Sequence, residues 1–129
     1  MTIDIELPLV VNGKPLTHNQ RHHYLARNRL VQEIRHAAGW NTKAAMLRDN
    51  IPAQRHIIVQ LHYQPGGAKR HRDAPNLTAT SKPAIDGVVD AGLVKDDHDG
   101  YVTEVMPVIH PEPGKRRLWL AIRLPEETV

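Results

Sequence analysis

The segment from Lys69 to Asp99 places basic and acidic side chains in an order that suits phosphate chemistry. It opens with a run of cations that leads directly into Asp73, continues through a polar stretch, and ends among Asp96, Asp97 and Asp99. Carboxylate oxygens bind hard divalent ions, and neighbouring cations bind phosphate. The segment therefore predicts an enzyme that holds a phosphate chain while cutting it with a bound metal.

The middle of this segment is predicted to form a short helix. Ser81 is the expected N-cap, Pro83 falls in the first turn, and Gly92 supplies the C-terminal stop. One side of this helix is apolar, and the other carries an ammonium and two carboxylates: Lys82, Asp86 and Asp90. A solvated Lys–Asp surface pair, worth roughly 0.2–0.5 kcal/mol, explains this spacing as well as a site does. The acids on both flanks of the helix favour the site.

Composition limits the kind of metal and the kind of protein. The 129 residues suit one domain spanning 1–129, and the absence of Cys excludes disulfides and thiolate ligands. Any metal must bind carboxylate, carbonyl, imidazole or water, which favours Mg²⁺, with Mn²⁺ as the alternative. No apolar run approaches the length of a membrane span, and no basic flank leads into an apolar core near Met1. We expect neither a membrane span nor a secretory signal.

Charge is unevenly distributed along the chain. Lys and Arg number 17 against 14 acids, a formal net charge of +3, and the acids concentrate after position 86. A basic first half followed by an acidic segment suggests a nucleic-acid partner. A soluble protein of high pI explains the same charges, and charge alone leaves the two alternatives open.

Hydrophobic periodicity predicts six elements. Alternating or β-branched runs predict strands over 3–11, 55–63, 101–110 and 116–124, and the last two are expected to form a hairpin around a turn at 111–114. A first helix is predicted from about His23 to Asp49, either ending at Gly39 or running through it at a cost of about 1 kcal/mol. With the second helix, this order predicts an α+β domain in which two helices cover one face of a mixed sheet. Cations of the first helix off its apolar stripe can meet phosphates or solvent: Arg27, Arg35, Lys43 and Arg48.

The central stretch resembles the RusA family of phage-type Holliday junction resolvases. The family pattern is a basic residue, D-x-D-N, a Lys four residues before a helical Asp, an Ala-Gly ending and an Asp-Asp pair. The matching residues here are Arg72, Asp73, Asn76, Lys82, Asp86, then D-A-G-L-V-K-D-D from Asp90 to Asp97. The polar loop from Thr17 to Arg21 is similar to the family's Asn-bearing N-terminal loop, and the order of elements agrees throughout.

This resemblance implies a Mg²⁺-dependent, homodimeric endonuclease that resolves four-way DNA junctions in recombination and repair. The implied catalytic residues are Asp73, Asp97 and Lys82, and the implied metal ligands are Asp73, Asp97, Asp96 and Asp86. The implied DNA contacts are Lys69, Arg70, Arg72, Asn76, Arg21, Arg27 and Arg35. The implied location is the cytoplasm of a bacterial or phage-infected cell.

One position departs from the family pattern. The second carboxylate of D-x-D-N is Pro75 here, which has neither charge nor side-chain oxygen. A branched-DNA-binding protein that has lost cleavage is therefore the first alternative, and an oligomeric structural protein of phage origin with no DNA role is the second.

Overall fold

Strands and helices follow one another in the predicted order. The protein is described by a computed structural model that covers residues 1–18, 20, 23–66, 77–111 and 114–125. Its elements are β1 (Thr2–Leu7), α1 (Tyr24–Asp49), β2 (Ile57–Gln64), α2 (Thr78–Asp90), β3 (Val102–Ile109) and β4 (Arg117–Arg123). The four strands form one mixed sheet against which both helices pack, so the α+β prediction is confirmed.

The sheet order is β1-β4-β2-β3, which corrects the predicted hairpin between the last two strands. β4 lies antiparallel between β1 and β2, while β3 lies parallel to β2 at the far edge. The sequences of the two strands explain this choice. β3 contains Pro107, which has no N–H to donate to a second neighbour, whereas β4 alternates fully buried apolar residues that suit a central strand.

One face of the sheet forms the core. Leu120 on β4 pairs with Ile5 on β1 and with Leu61 on β2, and all three are at most 1% exposed. The alternate residues of these strands face away from the helices and remain half-buried or exposed. Burying each such aliphatic side chain contributes about 1.5–3 kcal/mol, which fixes the strand register.

α1 runs through Gly39 without interruption, which settles the alternative left open by the sequence. The two helices cross at Gly39 and Gly87, where their backbones come close together. A Cβ added at Gly87 would collide with the Arg35 carbonyl oxygen and lie 2.8 Å from the Ala38 Cβ. Glycine at this crossing therefore allows the close approach that places residues of α2 beside α1.

α2 begins one turn earlier than predicted. Leu77 occupies the N-cap, and Ser81 lies inside the helix, where its hydroxyl donates to the Leu77 carbonyl at 3.4 Å. The Thr80 hydroxyl donates to the Leu16 carbonyl at 2.8 Å, which ties this first turn to the segment before α1. Ser81 is therefore not the N-cap, and Pro83 lies inside the helix rather than in its first turn. The predicted stop is confirmed, since Gly92 follows the helix with a left-handed φ of +88°.

Candidate functional site

The Lys82 ammonium joins two of the predicted site carboxylates. Its Nζ donates to Asp86 Oδ1 at 3.1 Å, one helical turn away, and to Asp97 Oδ2 beyond the end of the helix. The Lys82 side chain is 65% exposed, while those of Asp86 and Asp97 are 25% and 33% exposed. The three charges therefore meet at the surface, with the carboxylates more sheltered than the ammonium.

A tight turn after α2 brings Asp97 back to Lys82. Gly92 reverses the chain, and Leu93 and Val94 then bury their side chains in the core. The Gln54 N–H donates to the Leu93 carbonyl at 2.6 Å, which anchors this return segment beside the start of β2. The helical spacing fixes Asp86, whereas Asp97 depends on this anchored turn.

Asp96 extends the cluster by one carboxylate. Its Oδ1 accepts the Asp97 N–H at 2.7 Å, while the Asp96 side chain itself is exposed. We call Lys82, Asp86, Asp96 and Asp97 the helix-side cluster. It contains three carboxylates and one ammonium, so its formal charge is negative.

Hydrogen bonding shifts two pKa values within the helix-side cluster. The bond to Asp97, followed by that to Asp86, raises the pKa of Lys82 above its ordinary value. The bond from Lys82, followed by the one involving Asp96, lowers the pKa of Asp97. Lys82 is therefore protonated and Asp97 ionised at neutral pH, which makes Lys82 a fixed positive charge rather than a general base.

A second ion pair lies one turn further along α2. Arg35 makes two bonds to Asp90, Nε to Oδ2 at 2.6 Å and Nη2 to Oδ1 at 2.8 Å. This bidentate pairing lowers the pKa of Asp90 and raises that of Arg35, on which Asp86 also acts electrostatically. Sequence reasoning missed this pair, although Asp90 follows Asp86 by four residues on the polar side of the predicted helix.

The predicted DNA-contacting residues fall into two groups. Arg35 is engaged by Asp90, and the Arg27 Nη2 donates to the Thr17 carbonyl at 3.1 Å, so both have partners within the fold. The remaining predicted residues lie outside the described residues: Arg21, Lys69, Arg70, Arg72 and Asn76, together with the predicted ligand Asp73 and with Pro75. Their proposed roles stay predictions.

The donor types of the helix-side cluster fit a hard divalent cation. Asp86 and Asp97 already share one cation, the Lys82 ammonium, and carboxylate oxygens are the donors that Mg²⁺ prefers. Within the described ranges, no group of three His, Asp or Glu side chains is arranged to hold a metal ion. Asp86, Asp96 and Asp97 therefore do not form a ready metal site in this arrangement, and the predicted ligand Asp73 lies outside the described residues.

Comparisons with known proteins do not assign the chain to a family. A scan against protein-family models finds no family that matches the chain. A search of curated proteins also finds no match. In the part of the chain that the structure describes, neither helix has the length and apolar character needed to cross a bilayer.

Proposed function

We propose that this protein is a Mg²⁺-dependent endonuclease that resolves four-way DNA junctions in recombination and repair. The observation that carries the proposal is the Lys82 ammonium, which holds Asp86 and Asp97 together across the end of α2. Exposed ion pairs typically contribute about 0–1 kcal/mol to stability, so the fold gains little from this arrangement. A negative cluster with one exposed ammonium suits cleavage of a phosphodiester.

Asp73, Asp86, Asp96 and Asp97 would hold the metal, which requires the last three carboxylates to converge more closely than they do in this structure. When bound there, Mg²⁺ would polarise the scissile phosphate and lower the pKa of an attacking water. The Lys82 ammonium, on a flexible and exposed stem, neutralises negative charge that develops on the phosphate or on the leaving oxygen. Its raised pKa keeps it protonated throughout, so this role needs no proton transfer by Lys82.

DNA binding is proposed to come from the basic and polar side chains that the sequence predicts as phosphate contacts. The side chains that contact phosphates are Lys69, Arg70, Arg72, Asn76 and Arg21. Arg27 and Arg35 add further phosphate contacts once they exchange their present partners for DNA. Each phosphate that is neutralised adds to the salt dependence of binding. A symmetric junction needs two matched cuts, and a two-fold homodimer presents two equivalent sites.

The second candidate function is binding of branched DNA without cleavage. Pro75 favours this second function, because a proline side chain has no oxygen and stands where the resembled family has a metal-binding carboxylate. The two functions differ in whether the helix-side cluster acts on DNA or leaves it intact.

A labelled synthetic four-way junction separates these functions. With Mg²⁺, the wild-type protein should nick the junction symmetrically. Asp97→Asn should slow cleavage at least about 100-fold, as expected for losing a ligand of the metal that stabilises the transition state. The matched control is Glu6→Gln, which removes another exposed carboxylate that is paired with a cation, here Arg117. Glu6→Gln should cleave within about two-fold of the wild-type rate.

Gel-shift measurements on the same junction complete the test. Asp97→Asn should still bind, because it removes a negative charge from a surface that faces DNA. Binding by the wild-type protein without any nicking in Mg²⁺ or Mn²⁺ would select the second candidate. A loss of cleavage in Glu6→Gln equal to that in Asp97→Asn would show that the helix-side cluster has no special role.

A further inference from the structure

α1 carries an outward face that the fold leaves uncovered. We call it the α1 stripe, and its members share one side of the helix because they recur at steps of three, four and seven residues. The stripe consists of Leu25, Arg29, His36, Trp40, Lys43 and Leu47. Its apolar members are strongly exposed: Trp40 by 76%, Leu47 by 71% and Leu25 by 56%.

The core of the protein lies on the other side of α1. The helix buries Ile34, Ala38 and Ala45 against the sheet and α2, while Trp40 projects away from them. An indole offers one of the largest apolar surfaces of any side chain, and that surface is seldom left to solvent without a partner. The stripe therefore has the character of a binding surface.

Charge on the stripe favours an anionic partner. Arg29, His36 and Lys43 follow one another at seven-residue steps, about 10.5 Å apart along the axis. Neither Arg29 nor Lys43 forms an ion pair within the described residues, whereas Arg35 and Arg48 both do. Glu33 has the same spacing, four residues after Arg29 and three before His36, so Arg29 and Lys43 leave the face with a formal charge of +1 when His36 is neutral.

The same spacing argues against a second copy of the protein as the partner. An antiparallel copy centred on His36 would set Arg29 opposite Lys43, and a parallel copy would set each cation opposite itself. Like charges that face each other across an interface are unfavourable. Nucleic acid instead offers phosphates to these cations and the flat face of a base to Trp40.

We propose that the α1 stripe binds single-stranded DNA, with an unpaired base stacked on Trp40 and phosphates beside Arg29, His36 and Lys43. A single strand is favoured over a duplex because the faces of paired bases are covered by their neighbours, whereas an unpaired base can stack on an exposed indole. Arg35 precedes His36 in α1 and bonds Asp90 one turn from Asp86, so the stripe lies on the helix that borders the helix-side cluster.

The inference rests on the proposed function for its choice of nucleic acid as partner, but it does not require cleavage. Nucleotides that unpair at the centre of the junction would lie along α1, while the adjoining phosphate would reach the metal held by the helix-side cluster. The stripe thereby gives the protein a means to recognise a branch by its unpaired bases rather than by sequence.

Fluorescence anisotropy of a labelled oligothymidine in EDTA tests the stripe without metal chemistry. Trp40→Ala and Lys43→Glu should each weaken binding at least about ten-fold, in line with the loss of one stacked base or the reversal of one phosphate contact. Trp40→Phe should retain most of the affinity, because a smaller ring still stacks. The matched charge-reversal control is Arg123→Glu, which changes an exposed cation on the sheet face away from the helices and should alter the affinity less than two-fold.

Several results would overturn the inference. Unchanged oligothymidine affinity in both Trp40→Ala and Lys43→Glu, with circular dichroism showing folded protein, removes the stripe from DNA binding. A wild-type dimer that Trp40→Ala converts to monomer in sedimentation, with affinity for oligothymidine unchanged, reassigns the stripe to a protein interface. Junction cleavage that persists in either case leaves the proposed function standing, whereas stripe-dependent binding without cleavage supports the stripe and removes the nuclease.

Discussion

Two polar clusters on different sides of the molecule pair their charges in different ways. The sheet-side cluster consists of Glu6, His62, His110, Arg117 and Trp119 on the face away from the helices. Arg117 bonds both oxygens of Glu6, at 2.6 and 2.8 Å, and its Cζ lies 4.1 Å from the centroid of the Trp119 ring. His62 Nδ1 lies 3.0 Å from His110 Nε2, and both imidazoles stack against Trp119.

The helix-side cluster lacks this balance. One ammonium faces Asp86 and Asp97, and Asp96 adds a third carboxylate next to them. In the sheet-side cluster the Arg117 guanidinium makes two bonds to one carboxylate and each ring has a neighbour, while Asp4 on the same face acts on Arg117 and His62 through its charge. The two clusters differ in how their charges are paired: Arg117 gives both of its bonds to one carboxylate, whereas Lys82 divides its bonds between two.

The largest expected effect tests what holds the helix-side cluster in place. Gly87→Val should lower the free energy of unfolding by about 3 kcal/mol, at the upper end of the range for overpacking, because its side chain would collide with the backbone of α1. Urea denaturation measures the loss. Gly39→Ala is the matched control and should cost less, since its Cβ would lie 3.2 Å from the Gly87 carbonyl oxygen.

The comparison of the two clusters also predicts which residues change their surroundings in this variant. In Gly87→Val, NMR signals of Arg35 and Asp90 should shift, while those of His62 and His110 should stay in place on the other face of the sheet. Stability equal to the wild-type value would show that the helices do not depend on this crossing.

A smaller effect is expected from Mg²⁺ on thermal stability. When the Mg²⁺ concentration is ten times its dissociation constant, binding to the folded state alone raises the free energy of unfolding by about 1.4 kcal/mol. This corresponds to a rise in Tm of about 5 °C for a domain of this size. Asp97→Asn should remove most of this rise, and Pro75→Asp should enlarge it by supplying a further carboxylate. Differential scanning fluorimetry measures each variant with and without Mg²⁺.

Glu6→Gln sharpens this comparison, because it alters the sheet-side cluster and should keep the full Mg²⁺ response. Equal responses in Glu6→Gln and Asp97→Asn would mean that Mg²⁺ does not distinguish the two clusters. A Mg²⁺ response in Pro75→Asp no larger than that of the wild-type protein would place residue 75 away from the metal.

The order of elements followed from the sequence, but the order of strands did not. Alternating apolar residues identify β2 and β4 as strands because burial on one face of a sheet imposes a period of two. The predicted hairpin assumed that neighbours in sequence pair in space, which is common but not obligatory. β4 instead lies between β1 and β2, because its buried Leu118, Leu120 and Ile122 match apolar residues on both of these strands.

In the candidate site, too, some contacts were predictable from the sequence and others were not. The bond between Lys82 and Asp86 follows from helical spacing and was predictable from the sequence. Asp97 was expected near Lys82 through the family resemblance, and its approach depends on the Gly92 turn and its anchor at Gln54. The pair between Arg35 and Asp90 spans 55 positions and exists because two glycines let the helices cross closely, which no local pattern reveals.

The smallest expected effect is a pH dependence that belongs to the sheet-side cluster. Burial, followed by the nearby His110, lowers the pKa of His62 below its ordinary value of 6.5, outweighing the opposing influence of Asp4. Between the lowered and the ordinary value, the unfolded chain binds more protons than the folded protein. The stabilising effect of neutral His62 is therefore complete above about pH 6.5 and declines as the pH falls through and below that value.

Urea denaturation between pH 7.5 and 5 measures this decline, and His62→Gln separates it from the other histidines. The variant should lose less stability over this range than the wild-type protein, because it lacks the imidazole whose protonation destabilises the folded state. Asp97→Asn should follow the wild-type curve there, since the lowered pKa of Asp97 leaves it ionised throughout. If the wild-type curve matches that of His62→Gln, protonation of His62 costs the folded protein no stability. The sheet-side cluster would then not be a closed network, and it would not differ from the helix-side cluster in this way.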